Sequence, residues 1–127
     1  MKEVIRTENA PAPFQGAPYS QAIKAAGLVF VAGQVSLKPE HGEIVGDTIQ
    51  EQTEQALANL RAILEAAGSG LDRLVKTTVF LQSLDDFSGM NEVYKQHVGD
   101  QPPARSTVEV AKLPSGALVE IEAIALA

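Results

Sequence analysis

The sequence has no cysteine and no tryptophan. Without thiols there can be neither a disulfide framework nor a Cys-ligated zinc site, and the composition fits a reducing compartment, so the expected location is the cytoplasm. There are only two histidines, His41 and His97, far apart in the chain. His41 is expected in an exposed Gly-containing loop. His97 is expected exposed near a helix end, where its charge would favour the dipole. No metal centre and no Ser-His-Asp set is readable. No window approaches the ~18 apolar residues of a membrane span, and Met1-Lys2-Glu3-Val4-Ile5-Arg6 carries no secretory apolar stretch. Basic charge is also short. Ten Lys and Arg against sixteen Asp and Glu leave a net charge of −6. The cations are scattered singly, which opposes a phosphate backbone carrying one charge per ~1.7 Å. Neither nucleic acid nor membrane is an expected partner. Gly68-Ser69-Gly70 is too short to cradle a phosphate.

What is present describes an ordinary globular chain. Its 127 residues are 45% hydrophobic and 20% charged, with no repeat and no linker, so residues 1–127 are read as one domain. Val4–Thr7 reads as a short strand ended by Ala10-Pro11-Ala12-Pro13. Ala22–Ala26 and Leu28–Val35 read as a tight hairpin about Gly27, the second strand apolar enough for burial on both faces. Asp47 or Thr48 caps a helix, with Gln50 or Glu51 three residues on completing a capping box. Ile49, Ala56, Leu57, Leu60, Ile63, Leu64 and Ala67 form its apolar stripe, and Gly68 its stop. Leu74–Leu81 is a β-branched strand. A second helix from about Leu84 to Val98 places Phe87, Met90, Tyr94 and Val98 on its buried side. Ser106–Val110 and Leu118–Ala125 complete the order β-β-β-α-β-α-β-β, an α+β domain with both helices on one face of a mixed sheet.

Alternation sorts the last two strands. Arg105, Thr107 and Glu109 share one face, Ser106, Val108 and Val110 the other; Glu120 and Glu122 oppose Val119, Ile121 and Ala123. If the valines and isoleucine face the helices, Arg105, Glu109, Glu120 and Glu122 all point away. That face is either ordinary solvated surface or a carboxylate-binding arginine beside an acid/base glutamate. Parity alone does not choose.

Ordered motifs over nearly the whole chain do choose. They are Thr7-Glu8-Asn9-Ala10-Pro11, Pro18-Tyr19-Ser20-Gln21, Ala32-Gly33-Gln34, Glu65-Ala66-Ala67-Gly68, Val75-Lys76-Thr77-Thr78-Val79-Phe80 and Asp86-Phe87 with Asn91. The C-terminal set is Pro103-Ala104-Arg105-Ser106, Val108-Glu109-Val110-Ala111, Leu113-Pro114 and Glu120-Ile121-Glu122-Ala123-Ile124-Ala125. With these the sequence resembles the RidA/YjgF family of reactive-intermediate (2-imino acid) deaminases. The resemblance implies a chorismate-mutase-like fold, a homotrimer with clefts between subunits, no cofactor, and a small imino or keto acid as ligand. It makes Arg105 the carboxylate anchor, Glu120 the residue that activates water, and Tyr19 the residue that closes the site. Asn91 lies near the pocket, and Gly33 and Thr107 stand where backbone N–H groups meet the ligand. Three positions depart from the pattern: Ala32 where Ser is frequent, Thr107 where several members have Cys, and Ala17 where Gly is common.

The implied reaction is hydrolysis of 2-aminoacrylate or 2-iminobutanoate to a 2-keto acid and ammonia. An iminium carbon is already electrophilic, so an anchored carboxylate, an aimed water and a proton shuttle suffice. An enamine must first be protonated at C3, by Glu120 through water or by Tyr19. The alternative to an enzyme is a module that binds small carboxylates through Arg105 without turnover. Without the resemblance, Tyr19 reads equally as a packed turn aromatic and Asn91 as a hydrogen-bonded structural residue.

Overall fold

The computed structural model describes residues 1–40 and 42–127; the expectation for His41 lies outside the described residues. The chain runs β1 (Glu3–Ile5), β2 (Ala22–Ala25), β3 (Leu28–Gln34), α1 (Ile49–Ala66), β4 (Leu74–Leu81), α2 (Phe87–Val98), β5 (Ala104–Glu109) and β6 (Val119–Leu126). This is the element order the sequence predicts. Strand edges move by at most two residues, with β4 unchanged, and a 3-10 turn over Leu84–Asp86 precedes α2.

Local chemistry explains the boundaries. Ala26 and Gly27 both have positive φ, 55 and 77, the pair that a two-residue turn needs to match strand twist. Of the two candidate caps of α1, Thr48 is the one used. Its hydroxyl accepts the Glu51 N–H at 3.1 Å, and the Glu51 carboxylate accepts the Thr48 N–H at 3.1 Å. At the far end Gly68 has φ 81, and the Ser69 N–H donates to Leu64 O at 2.8 Å, closing the helix where a side chain would be strained.

The sheet order is β1-β2-β3-β6-β4-β5. β4 and β5 are parallel across the α2 crossover, and every other neighbouring pair is antiparallel. The last strand therefore lies in the middle, with Val119, Ile121 and Ala125 fully buried. Helix α1 covers β3 and β6, and α2 packs beside it. Leu57, Leu60, Ile63 and Leu64 of α1 meet Met90 of α2 and Val29, Val79 and Leu81 of the sheet in one core.

The opposite face carries no helix and mixes apolar residues with Lys76, Glu120 and Glu122. Across the strands Val4 pairs with Ile23, Ile23 with Phe30, Phe30 with Ile124 and Ile124 with Lys76. Val4, Phe30, Val108 and Leu126 are exposed. β3 is thus buried on one face only: Val29 and Val31 point to the helices while Phe30 is 41% exposed, which corrects the reading of two-sided burial. Phe87 is likewise not on the buried side of α2 but 40% exposed, its ring lying 5.5 Å from the guanidinium of Arg105 in the edge strand β5. His97 is not free either. Its Nε2 lies 2.7 Å from Glu54 Oε1, tying α2 to α1, with the imidazole only 15% exposed.

Three buried amides hold the loops that frame the site. Gln21 accepts the Thr7 N–H at 2.8 Å and donates to Pro11 O at 2.8 Å, folding the N-terminal arm onto β2. Gln52 donates to Gly46 O at 3.0 Å and accepts the Leu118 N–H at 2.9 Å. Asn59, 1% exposed, donates to Val35 O at 3.1 Å and Leu37 O at 2.8 Å. Replacing Asn59 by Ala strands two buried carbonyls, a change of about 1–3 kcal/mol. Urea denaturation of Asn59→Ala is expected to show that loss with the cooperativity retained.

Candidate active site

Arg105 lies in β5 beside Thr77 of β4, which in turn pairs with Ala123 of β6. Thr77 is fully buried under α2, its hydroxyl 2.6 Å from the Tyr94 hydroxyl. Residues paired side by side share a face, so Arg105 points to the helix layer. It reaches past the end of the core into a hollow lined by Asn91, Tyr94, Lys95, Val98, Pro102 and Pro103. Its Nη1 donates to Asn91 Oδ1 at 2.8 Å. The guanidinium carbon sits 4.8 Å from the Tyr94 ring centroid and 5.5 Å from that of Phe87. Among the described residues no carboxylate lies within ion-pair distance of Arg105. A planar fork held by stacking and by one hydrogen bond, with its charge unpaired, is suited to an incoming carboxylate. Burial raises the pKa of Tyr94, while Thr77 and the Arg105 charge act the other way; the phenol therefore stays neutral against the cation. Thr107, two residues on and on the same face, has a buried hydroxyl without a hydrogen-bond partner.

Glu120 faces the other way. It pairs with Phe80, and Phe80 with Val108, across the helix-free face. This overturns the expectation that Arg105 and Glu109 share a face with Glu120 and Glu122. The expectation took valine as a marker of the helix side, but the helix-free face also carries apolar residues, Val108 and Phe80 among them. Glu109 does lie with Arg105, its carboxylate accepting the Leu84 N–H at 3.0 Å just ahead of α2.

Glu120 opens into a pocket of about 60 Å³ together with Tyr19, Gly33, Pro11, Phe14 and Ser115. Gly33 explains its own identity. A Cβ there would strike the Glu120 carboxyl, closing to 2.8 Å from Cδ, so the bulged end of β3 leaves the space that Glu120 fills. Burial, and secondarily the neighbouring Glu122, push the Glu120 pKa above its ordinary 4.5. Tyr19 accepts the Phe14 N–H at 2.8 Å on its hydroxyl.

The six residues marked out by the sequence thus form two groups. Arg105, Asn91 and Thr107 lie on the helix side of β5; Tyr19, Gly33 and Glu120 lie around a pocket on the other face. Sequence reasoning missed the ring stack of Phe87 and Tyr94, and Ser115, which lines the pocket with φ 57. The signal for the stack was present, since Phe87, Asn91 and Tyr94 recur at helical spacing of four and three. Among the described residues no group of three or more His, Cys, Asp or Glu could hold a metal ion, and no helix is long and apolar enough to cross a membrane.

Comparison with known proteins matches this arrangement to one family. The family model described as Endoribonuclease L-PSP matches residues 7–127. A RutC family protein of Pyrococcus horikoshii is 55% identical, over 98% of each chain. The chain belongs to the RidA/YjgF family. Reactive Intermediate Deaminase A, chloroplastic, of Arabidopsis thaliana is 49% identical over 98% of this chain and 65% of its own length. The crystal structure of Escherichia coli TdcF with bound serine superposes with a TM-score of 0.90 at 41% identity, covering 98% of each chain. The mixed sheet with two helices on one face is the chorismate-mutase-like fold expected of a RidA/YjgF protein.

The raised pKa of Glu120 has a consequence for stability. A carboxyl that binds its proton more tightly in the folded chain stabilises the fold most at low pH, and that contribution is lost as pH rises above 4.5. Glu120→Gln, which mimics the protonated form, is therefore expected to gain stability relative to wild type between pH 4 and pH 7.5, measured by denaturation at each pH. A difference independent of pH would contradict the assignment.

Proposed function

We propose that this protein hydrolyses reactive 2-imino and enamine acids, 2-aminoacrylate and 2-iminobutanoate among them, to 2-keto acids and ammonia. The reaction takes place in clefts between the subunits of a homotrimer. The observation that carries this reading is Arg105: a stacked guanidinium without a carboxylate of its own. The name of the Arabidopsis relative supports the reaction class, and the serine bound by TdcF supports a small ligand bearing a carboxylate.

In this reading Arg105 pairs with the substrate carboxylate, Asn91 and the two rings fixing its plane. Proximity supplies much of the acceleration. A water beside Glu120 attacks C2; its proton passes to the carboxylate, and the C=N π electrons move to nitrogen. As the carbinolamine collapses, the Glu120 proton passes to nitrogen while C–N breaks. The regenerated carboxylate takes the hydroxyl proton as C=O forms and hands it to ammonia, which leaves as ammonium. A carboxyl whose pKa is raised by burial holds a proton more readily, which suits both transfers. Gly33 keeps the carboxyl in place, and the backbone N–H groups of Gly33 and Thr107 face the ligand.

The trimer is supported by the two-faced layout. Arg105 and Glu120 sit on opposite faces of one sheet, so a site using both needs a second copy. The exposed row of Val4, Phe30, Val108 and Leu126 is apolar surface of the kind that marks an interface. The serine held by TdcF also favours a second reading, a binding module without turnover. Glu120→Gln separates the two, since a binder loses little and a deaminase loses its water activation. RNA cleavage, which the family description names, is opposed by the net charge of −6 and the lack of a basic stripe.

The test generates 2-iminobutanoate in situ and follows 2-keto acid release. Arg105→Ala is expected to lower kcat/KM by about 100-fold, the worth of a charge-assisted bidentate pair. Arg105→Lys, which keeps charge without the fork, is expected to fall between. Full activity in Arg105→Ala would sink the proposal.

A further inference from the structure

The hydroxyl of Tyr19 has its hydrogen-bonding direction set by its neighbours. The oxygen accepts the Phe14 backbone N–H at 2.8 Å. Phe14 opens a 3-10 turn whose next two residues, Gln15 and Gly16, have φ of 52 and 69. A left-handed glutamine is strained, and such positions persist where the surrounding chain holds them, commonly at working sites. Here Pro13 precedes the turn with φ −50, Ala17 N–H closes it onto Phe14 O at 3.0 Å, and Tyr19 N–H bonds Ala17 O at 2.9 Å. The turn and the tyrosine are one rigid piece.

A phenol carries one proton and can accept on its oxygen lone pairs. With Phe14 N–H occupying the acceptor side, the O–H is left to donate, and among the described residues it has no acceptor. The ring is 46% exposed and lines the pocket that also holds Glu120 and Gly33. Two walls of one pocket, the loop before β2 and strand β6, therefore present a donor and a carboxyl. That is the layout needed for chemistry at two adjacent carbons.

We propose that Tyr19 is the acid that protonates C3 of an enamine substrate, leaving Glu120 to act on the water that attacks C2. The proposal rests on the deaminase reading and assigns its first step. The phenolic O–H bond breaks and the proton bonds to C3 through the C=C electron pair. The nitrogen lone pair forms C=N, giving the iminium. The phenolate is held by the Phe14 N–H and recovers a proton from solvent. A substrate that arrives as the imine skips this step.

The same carbon skeleton can be delivered in both forms. An amino-acid oxidase acting on 2-aminobutanoate releases the imine, whereas a pyridoxal-phosphate dehydratase acting on threonine releases the enamine. Wild-type acceleration of the oxidase-derived imine establishes the deaminase reading by itself; if neither source is accelerated, that reading and this proposal fall together. Given that acceleration, Tyr19→Phe is expected to lower enamine turnover about 100-fold more than imine turnover, the scale of general-acid catalysis. In D2O the wild type is expected to give 2-ketobutanoate deuterated at C3 in one configuration, and Tyr19→Phe a mixture of both.

A second pair isolates the amide. Phe14→Pro removes the N–H at a position where proline is tolerated, the first residue of a helical turn, and Phe14→Ala removes the ring alone. Phe14→Pro is expected to depress enamine turnover beyond Phe14→Ala. Equal losses of Tyr19→Phe on both substrates, or a single C3 configuration surviving in Tyr19→Phe, would overturn the assignment.

Discussion

Successive side chains of a strand point to opposite faces, and in this protein that alternation separates the two groups that the proposed chemistry needs. Arg105 follows the face of Thr77 and Ala123 towards the helices; Glu120 follows the face of Phe80 and Val108 away from them. From Lys76 to Leu81, β4 holds β5 and β6 in unbroken register, so neither residue can be turned without turning its strand. The helix-free face keeps Val4, Phe30, Val108 and Leu126 exposed, and the arginine keeps its charge unpaired. In the proposed trimer a second copy would cover those apolar residues and bring a glutamate to the arginine.

Around each group the support is of a different kind. Arg105 is held by shape, between two aromatic rings and an asparagine, with Tyr94 pinned in turn by buried Thr77. Glu120 is held by space, the room left by Gly33 on the neighbouring strand. Its pocket is walled by loops that would otherwise be free to move. Gln21 folds in the arm ahead of β2, Asn59 reaches from α1 to Val35 and Leu37, and Gln52 reaches Gly46 and Leu118. Each buried amide satisfies backbone groups that would be costly to leave unpaired, so stability and positioning come from the same contacts.

Much of this was legible in the residues. Helix α1 announces itself by Thr48, Glu51, its apolar stripe and Gly68, because a cap, a period and a stop are local properties. The last strands were found for the same reason. Their facing was not, because the parity argument needs one independent fact: which face the protomer buries. Val108 is apolar and still points away from the helices, as does Phe30. An apolar residue in a strand does not by itself report burial under a helix. Phe87 was misplaced similarly, its ring lying against Arg105 at the sheet edge. Gln21, Gln52 and Asn59 went unnoticed because their partners are loop carbonyls distant in sequence, which leave no periodic signal.

The central claim is that Arg105 and Glu120 of one working site come from different chains. Subunit mixing tests it directly. Arg105→Ala and Glu120→Gln proteins, each strongly impaired alone, are unfolded together in equal amounts and refolded into mixed trimers. If the site is shared, a random ring pairs an intact Arg105 with an intact Glu120 at about one site in four, and about a quarter of wild-type activity is predicted to return. If both residues of a site belonged to one chain, every site would lack one of them, and no activity returning from the mixture would contradict the account.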